Sequence, residues 1–285
     1  MAHKVGEQAT ALAQQFVDAH IHAVSQEQVT HPHLCPGLTD AVHAEGAKIG
    51  AQLGHAGLVA NTLSNKVPTL APSTRVSAPA MGLVKGATKA QIREVIADFE
   101  RAAQVAIDAG FDPVKINTVV QRGVNDDEIV DLARFGRERG VEVRFIEWMP
   151  LDAGGGWDRR AVVSQDEIVA AIGAVFPLEP IAARGAAPAD RWRYRDTGGL
   201  VGVIPSVTRP FCGDCDRVRL TADGQFRTCL FATSEIDLRA SLRDGADDDT
   251  VAAAIEQAVA GKWAGHRIDQ VDFVRPARSM SQIGG

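Results

Sequence analysis

The clearest periodicity in the chain runs from Thr88 to Gly110. Ile92, Val95, Ile96, Phe99, Ala103 and Ala106 recur at helical spacing there, behind a Thr88/Gln91 capping-box pattern, and Gly110 stands where a C-terminal cap belongs. A second helix is predicted from Asn125, with Glu128 in the box position and Ile129, Leu132 and Phe135 on one face, to Gly140. A third runs from Ser164, with Glu167 completing its box, to Pro177. Between them, Ala47 to Leu53, Val114 to Val120 and Val141 to Trp148 read as strands.

Strand alternating with helix implies parallel pairing. In the strand from Val114, Lys115 and Asn117 are polar while Val114 and Ile116 are apolar. This division suits a barrel strand whose apolar side faces helices and whose polar side faces the barrel interior. An exposed antiparallel strand with one wet face is the alternative. After Pro177 the pattern changes, with basic and aromatic residues alternating from Arg191 to Arg195 and glycines at 198, 199 and 202. The predicted fold is α/β: a hybrid, partial (βα) TIM-type barrel with a smaller C-terminal β-rich extension. The divisions fall at residues 1–112, 113–176 and 177–285.

Composition narrows the class. Hydrophobic residues make up 45% and charged residues 23% of 285, the balance of a globular chain. No apolar run approaches the ~20 residues that span a bilayer, and neither a signal nor a transit peptide is visible, so no membrane partner and a cytoplasmic location are expected. A formal net charge of -6 argues against a nucleic acid held by bulk electrostatics.

Of four cysteines, three lie between 212 and 229, which points to metal rather than a disulfide framework. Cys212-x2-Cys215, followed after 13 residues by Cys229, supplies three soft thiolates suited to an iron–sulfur cluster or to zinc. A zinc site would need a fourth ligand, such as His266 or Cys35, and would be structural. A four-iron cluster would keep one iron open. Arg217 and Arg219, one residue apart on a predicted strand, point the same way and offer forked donors for phosphate oxygens.

The run FCGDCDRVRLTADG from Phe211 to Gly224, ending in TCLF from Thr228 to Phe231, resembles the second-cluster motif of GTP 3′,8-cyclases of molybdenum-cofactor biosynthesis. PVKINTV from Pro113, RFIEWMP from Arg144, Lys262-x3-His266 and the terminal Ile283-Gly-Gly are similar to the same family in order and spacing. The resemblance covers about 113 to 285. It implies that Cys212, Cys215 and Cys229 hold one [4Fe-4S] cluster whose free iron meets the guanine of GTP. Arg217, Val218 and Arg219 would line the nucleotide, Lys115 would contact it from the barrel wall, and Met149 would lie beside S-adenosylmethionine. Gly284 and Gly285 resemble the family's glycine tail, which enters the active site, and having no side chains they can approach a ligand closely.

That family also carries an N-terminal Cys-x3-Cys-x2-Cys loop, whose cluster generates the radical from S-adenosylmethionine. This chain has no such loop, and Cys35 is the one cysteine before Cys212. The 285 residues are therefore expected not to convert GTP unaided, and a partner supplying the missing cluster is implied. PGLTDAVHAEGAKI from Pro36, QLGHAG from Gln52, APS from Ala71 and the helix ending at Asp112 resemble instead the old yellow enzyme family of flavin oxidoreductases, over about 28 to 112. There, the position of Gln52 contacts the flavin. The His/Asn motif that should follow Asp112 and the later strands that bind the flavin phosphate are missing, which argues against FMN. His20-x-His22 is a further, weak metal signal. Three readings follow: a cyclase-like protein that binds a cluster and GTP, an FMN-dependent oxidoreductase, or a zinc-stapled binding module without catalysis.

Overall fold

The computed structural model describes residues 21–23, 40, 43–44, 46, 48, 50–54, 69–71, 73–77, 82–108, 111, 113–151, 156–182, 185–221, 223–262, 268, 273–278 and 280–283. The chain divides into two compact units, Met1–Asp112 and Pro113–Gly285. Among the described residues no helix is long and apolar enough to cross a membrane.

In the first unit, β1 (Ile21–Ala23) pairs in parallel with β2 (Ala51–Leu53), with His22 opposite Gln52. The antiparallel pair β3 (Arg75–Ser77) and β4 (Gly82–Val84) leads into α1 (Lys89–Asp108). The predicted capping box forms: Gln91 N–H donates to Thr88 Oγ1 at 3.2 Å, and Thr88 N–H donates to Gln91 Oε1 at 3.0 Å. Gly110 and Cys35 lie outside the described residues. The predicted apolar stripe of α1 is a real helix face, yet Ile92, Ile96 and Phe99 stay 46%, 54% and 40% exposed. Periodicity dictates a helix; burial requires a partner surface, and the described strands of this unit are each three residues long.

The second unit is built on a five-stranded sheet. Its strands are β5 (Lys115–Val120), β6 (Glu142–Glu147), β7 (Leu178–Pro180), β8 (Asp190–Tyr194) and β9 (Leu200–Ile204) in the order β5-β6-β9-β8-β7. β5, β6 and β9 run parallel, whereas β8 and β7 are antiparallel additions. The segment after Pro177, with its changed pattern, is thus hydrogen-bonded into the sheet that β5 and β6 begin. Parallel neighbours require crossovers. α2 (Ile129–Arg139) and α3 (Gln165–Gly173) are the helical parts of those connections.

One sheet face and these helices enclose a core of Val120, Ile129, Ala133, Val143, Phe145, Val163, Ile168, Ile172, Tyr194, Val201 and Val203. Period-two alternation explains the choice: Val143, Phe145 and Glu147 share one side of β6 and are all buried. The start of α2 differs from the capping box expected at Asn125. The side chain of Asn125 accepts from Gln121 N–H at 2.9 Å and donates to Val119 O at 3.0 Å, so a 3-10 turn over Asp126–Glu128 precedes the helix. α3 does begin with its predicted box, Ser164 and Glu167 bonding each other's backbone N–H groups.

Downstream lies a small antiparallel sheet of β10 (Arg219–Leu220), β11 (Gln225–Arg227) and β12 (Ile236–Asp237). The helices α4 (Leu238–Arg243) and α5 (Asp248–Ala260) follow. A second apolar cluster, of Leu151, Val162, Val207, Phe231 and Ile268, packs against Met149, Cys229 and Phe273.

Candidate functional site

Two local devices bring the cysteines toward one another. A single 3-10 turn, Cys212–Asp214, returns Cys215 N–H to Cys212 O at 3.3 Å, setting the first two cysteines on one turn. The hairpin of β10 and β11 then brings the chain back, with Arg219 opposite Arg227 and Cys229 two residues further on. That hairpin depends on Gly224, whose φ is 82° and where an added Cβ would come within 2.4 Å of Arg239 Cβ.

The charges around these thiols are basic. Arg217 Nη2 and Lys262 Nζ each stand 3.5 Å from Cys215 Sγ, and Lys262 Nζ also donates to Arg217 O at 2.7 Å. Burial pushes the Cys215 thiol up, but the Arg217 backbone N–H, its guanidinium and Lys262 outweigh this, so the thiol sits below its ordinary value. Thiolate is the form that binds iron or zinc. Cys229 Sγ accepts from Phe231 N–H at 3.4 Å.

Arg219 links the pieces. Burial and the neighbouring Arg217 lower its pKa, while Cys229 and Cys215 both act on it with the opposite sign, so both sulfurs are in electrostatic reach of one guanidinium. Its Nη1 donates to Ile283 O at 3.1 Å, which ties the last described residue to the cysteine region. Gly284 and Gly285 follow Ile283 and lie outside the described residues, as do the candidate zinc ligands His266 and Cys35. The Arg217 guanidinium stacks on the Phe211 ring at 4.6 Å, and Val218 is half-buried between the two arginines. Among the described residues no group of three Cys, His, Asp or Glu side chains could hold a single metal ion.

Met149 borders the same apolar cluster as Cys229. Lys115 lies at the N-terminal end of β5, on the sheet face opposite the core. Burial, then Arg144, lowers its pKa against the pull of Glu142, and Arg191 adds to the lowering. Arg144 and Arg191 both pair in register with Gly202, whose missing side chain leaves room for the Arg144 stem, since a Cβ there would be 3.2 Å from Arg144 Cγ. The structure thus sets Cys212 and Cys215 on one turn with Arg217 and Lys262 against Cys215 Sγ, places Met149 and Cys229 against one apolar cluster, and surrounds Lys115 with Arg144, Glu142 and Arg191.

Two contributors were not among the predicted site residues. Lys262 was visible only as part of the Lys262-x3-His266 resemblance. Glu147 carried a signal that went unread: an acidic residue at a core-parity position of an apolar strand. Its carboxylate is fully buried and accepts from Gln165, Val207 and Thr208 N–H groups.

Residues 141–268 match the family model described as Molybdenum Cofactor Synthesis C. Residues 10–120 match that of the NADH:flavin oxidoreductase / NADH oxidase family. Over 182 residues the chain is 52% identical to a GTP 3′,8-cyclase of Streptomyces coelicolor, covering 63% of this chain and 53% of that protein. Over 183 residues it is 51% identical to GTP 3′,8-cyclase 2 of Mycobacterium tuberculosis H37Rv, covering 62% and 51%. The chain thus spans about half the length of the curated relatives it matches. An old yellow enzyme homologue from Zymomonas mobilis aligns with a TM-score of 0.34 at 22% identity, covering 50% of this chain and 48% of that one. Both resemblances noted in the sequence are thereby borne out: the chain carries in succession a segment similar to NADH:flavin oxidoreductases and a longer segment similar to GTP 3′,8-cyclases of molybdenum-cofactor biosynthesis.

Proposed function

We propose that the second unit binds one [4Fe-4S] cluster through Cys212, Cys215 and Cys229 and takes GTP beside it, as a cyclase-like protein of molybdenum-cofactor biosynthesis. The observation that carries this is the basic setting of Cys215, whose Sγ has Arg217 Nη2 and Lys262 Nζ each at 3.5 Å. When bound, the cluster would offer an iron without a protein ligand to coordinate a purine atom.

The protein's own groups do the rest. Arg217 and Arg219 orient the polyphosphate by forked hydrogen bonds, and Val218 lines the nucleotide between them. Lys115, with Arg144 and Arg191, adds positive charge on the polar sheet face, which we read as the interior side of a partial barrel. Met149 covers S-adenosylmethionine with its apolar side chain. Gly284 and Gly285, which follow the Arg219-held Ile283 in sequence, serve as the glycine tail. With Cys35 the one cysteine before Cys212, the 285-residue chain converts no GTP unless a partner supplies the radical-generating cluster.

The test is anaerobic purification with iron, sulfide and zinc quantified, followed by GTP titration of the wild type and Arg217→Ala. Four irons per chain and an affinity loss of about tenfold or more are expected, the worth of a charge-assisted hydrogen bond. Zinc at the cysteines, or unchanged GTP affinity, would refute the assignment, and turnover by the purified chain alone would refute the need for a partner.

The match of residues 10–120 to flavin oxidoreductases favours a second reading, in which the first unit binds FMN with Gln52 on β2 against the ring. A flavin spectrum in the purified protein supports that reading, and a colourless first unit ends it.

A further inference from the structure

Glu147 closes β6 at a position whose parity points into the core, and its side chain is 0% exposed. A carboxylate there costs several kcal/mol of desolvation unless donors converge on it. They do. Oε1 accepts from Gln165 N–H at 2.9 Å and from the Thr208 hydroxyl, and Oε2 accepts from Val207 N–H at 2.8 Å and Thr208 N–H at 2.7 Å.

These donors belong to two different segments. Gln165 N–H is one of the orphan donors in the first turn of α3, while Val207 and Thr208 lie in the loop that leaves β9 and reaches Cys212 four residues later. One carboxylate thus fastens the cysteine loop to the end of a central strand and to the start of a helix. Arg209, bonded to Asp166 at 2.9 Å, adds a second tie between the same two segments. Two consecutive N–H groups on one oxygen fix the direction of the loop as well as its position, and no hydrophobic residue at 147 could do either.

We propose that Glu147 is a positioning residue for Cys212: it acts through the Val207–Thr208 turn to hold the first cysteine of the metal centre in register with Cys215 and Cys229. The loop's role at a cluster rests on the function proposed above, but its anchoring does not, so the two are tested apart.

Glu147→Gln keeps the shape and removes one acceptor, since an amide offers one carbonyl oxygen where the carboxylate offered two, leaving at least one of the three buried N–H groups facing an NH2. Val143→Ala, a cavity in the same face of β6, serves as the stability-matched control. In metal-free protein, alkylation by iodoacetamide is followed at each cysteine by mass spectrometry. Glu147→Gln should raise the rate at Cys212 relative to Cys229 by about tenfold, while Val143→Ala leaves that ratio unchanged. Thr208→Val, which removes only the hydroxyl arm, should shift the ratio in the same direction by less, and it keeps the inference testable if Glu147→Gln fails to fold. After anaerobic reconstitution, Glu147→Gln should lose iron to a chelator faster than Val143→Ala does.

An unchanged Cys212-to-Cys229 ratio in both Glu147→Gln and Thr208→Val overturns the inference, as does a ratio that Val143→Ala changes equally. A wild type that takes up no cluster, yet shows the expected alkylation contrast, overturns the cluster assignment and leaves the positioning role standing.

Discussion

Gly136 lies in α2 where the helix crosses β6, and replacing it by alanine probes how closely these elements pack. An added Cβ would come within 2.6 Å of Val143 Cγ2 and 2.7 Å of Val141 O. Both are well inside the ~3.5–4.0 Å at which carbon contacts are favourable. The Val143 methyl is pinned in the core, 1% exposed, and the Val141 carbonyl is backbone that cannot rotate aside. Sliding the helix outward would strain the bond from Val141 N–H to Gly136 O, at 2.9 Å. Alanine gains ~1 kcal/mol of helix propensity over glycine, against ~1–3 kcal/mol for each overpacked contact. With two such contacts the net expectation is a loss of about 1–5 kcal/mol, or several degrees in melting temperature. Urea unfolding of Gly136→Ala, Val143→Ala and the double variant reads it directly. Truncating Val143 relieves the methyl overlap but not the carbonyl one, so the double variant should lose less than the sum of the singles. If Gly136→Ala is as stable as the wild type or more so, α2 does not approach the sheet this closely. The reasoning about how β6 is held, and Glu147 with it, then fails.

Three further outcomes are expected. Glu167 is held at about 2, against an ordinary 4.5, first by Ser164 N–H and then by the Arg122 and Ser164 side chains. Its contribution is fully present above pH 4.5 and is lost as pH falls through about 2, so Glu167→Gln should flatten acid unfolding in that window. The effect stays modest because the side chain is 48% exposed. Arg278 bonds both Asp223 and Glu235 and pulls Asp223 down to about 2. Arg278→Ala should speed hydrogen exchange at the Met280 and Ile283 amides by about tenfold, and unchanged exchange would show that the C-terminal turn docks without it. Lys262→Met should slow alkylation of Cys215 in metal-free protein at neutral pH, because the ammonium 3.5 Å away favours the thiolate; an equal rate would remove Lys262 from the site.

Much of this molecule was legible one residue at a time. The capping boxes at Thr88 and Ser164 read correctly because their bonds span three residues and need no distant partner. The alternation in β5 predicted which side chains face the helices, because a strand's period of two acts locally. The Cys212-x2-Cys215 spacing was legible for a comparable reason: one short turn sets both residues together whatever the rest of the chain does.

Other features depended on surfaces that no local pattern encodes. The apolar stripe on α1 was legible as a helix face, but periodicity cannot supply the sheet that would cover it. Asn125 preferred two backbone partners before the helix to the expected cap, a competition decided by where Val119 and Gln121 come to lie. The largest gap was Glu147, whose carboxylate is tolerable in the core only because donors 18, 60 and 61 residues away converge on it. Composition, periodicity and spacing thus determined the helices, the strand faces and the chemistry available at the cysteines. Folding alone decided which charges meet them, because electrostatic and hydrogen-bond partners are chosen by distance in space, and that distance is set by the packing of the whole unit.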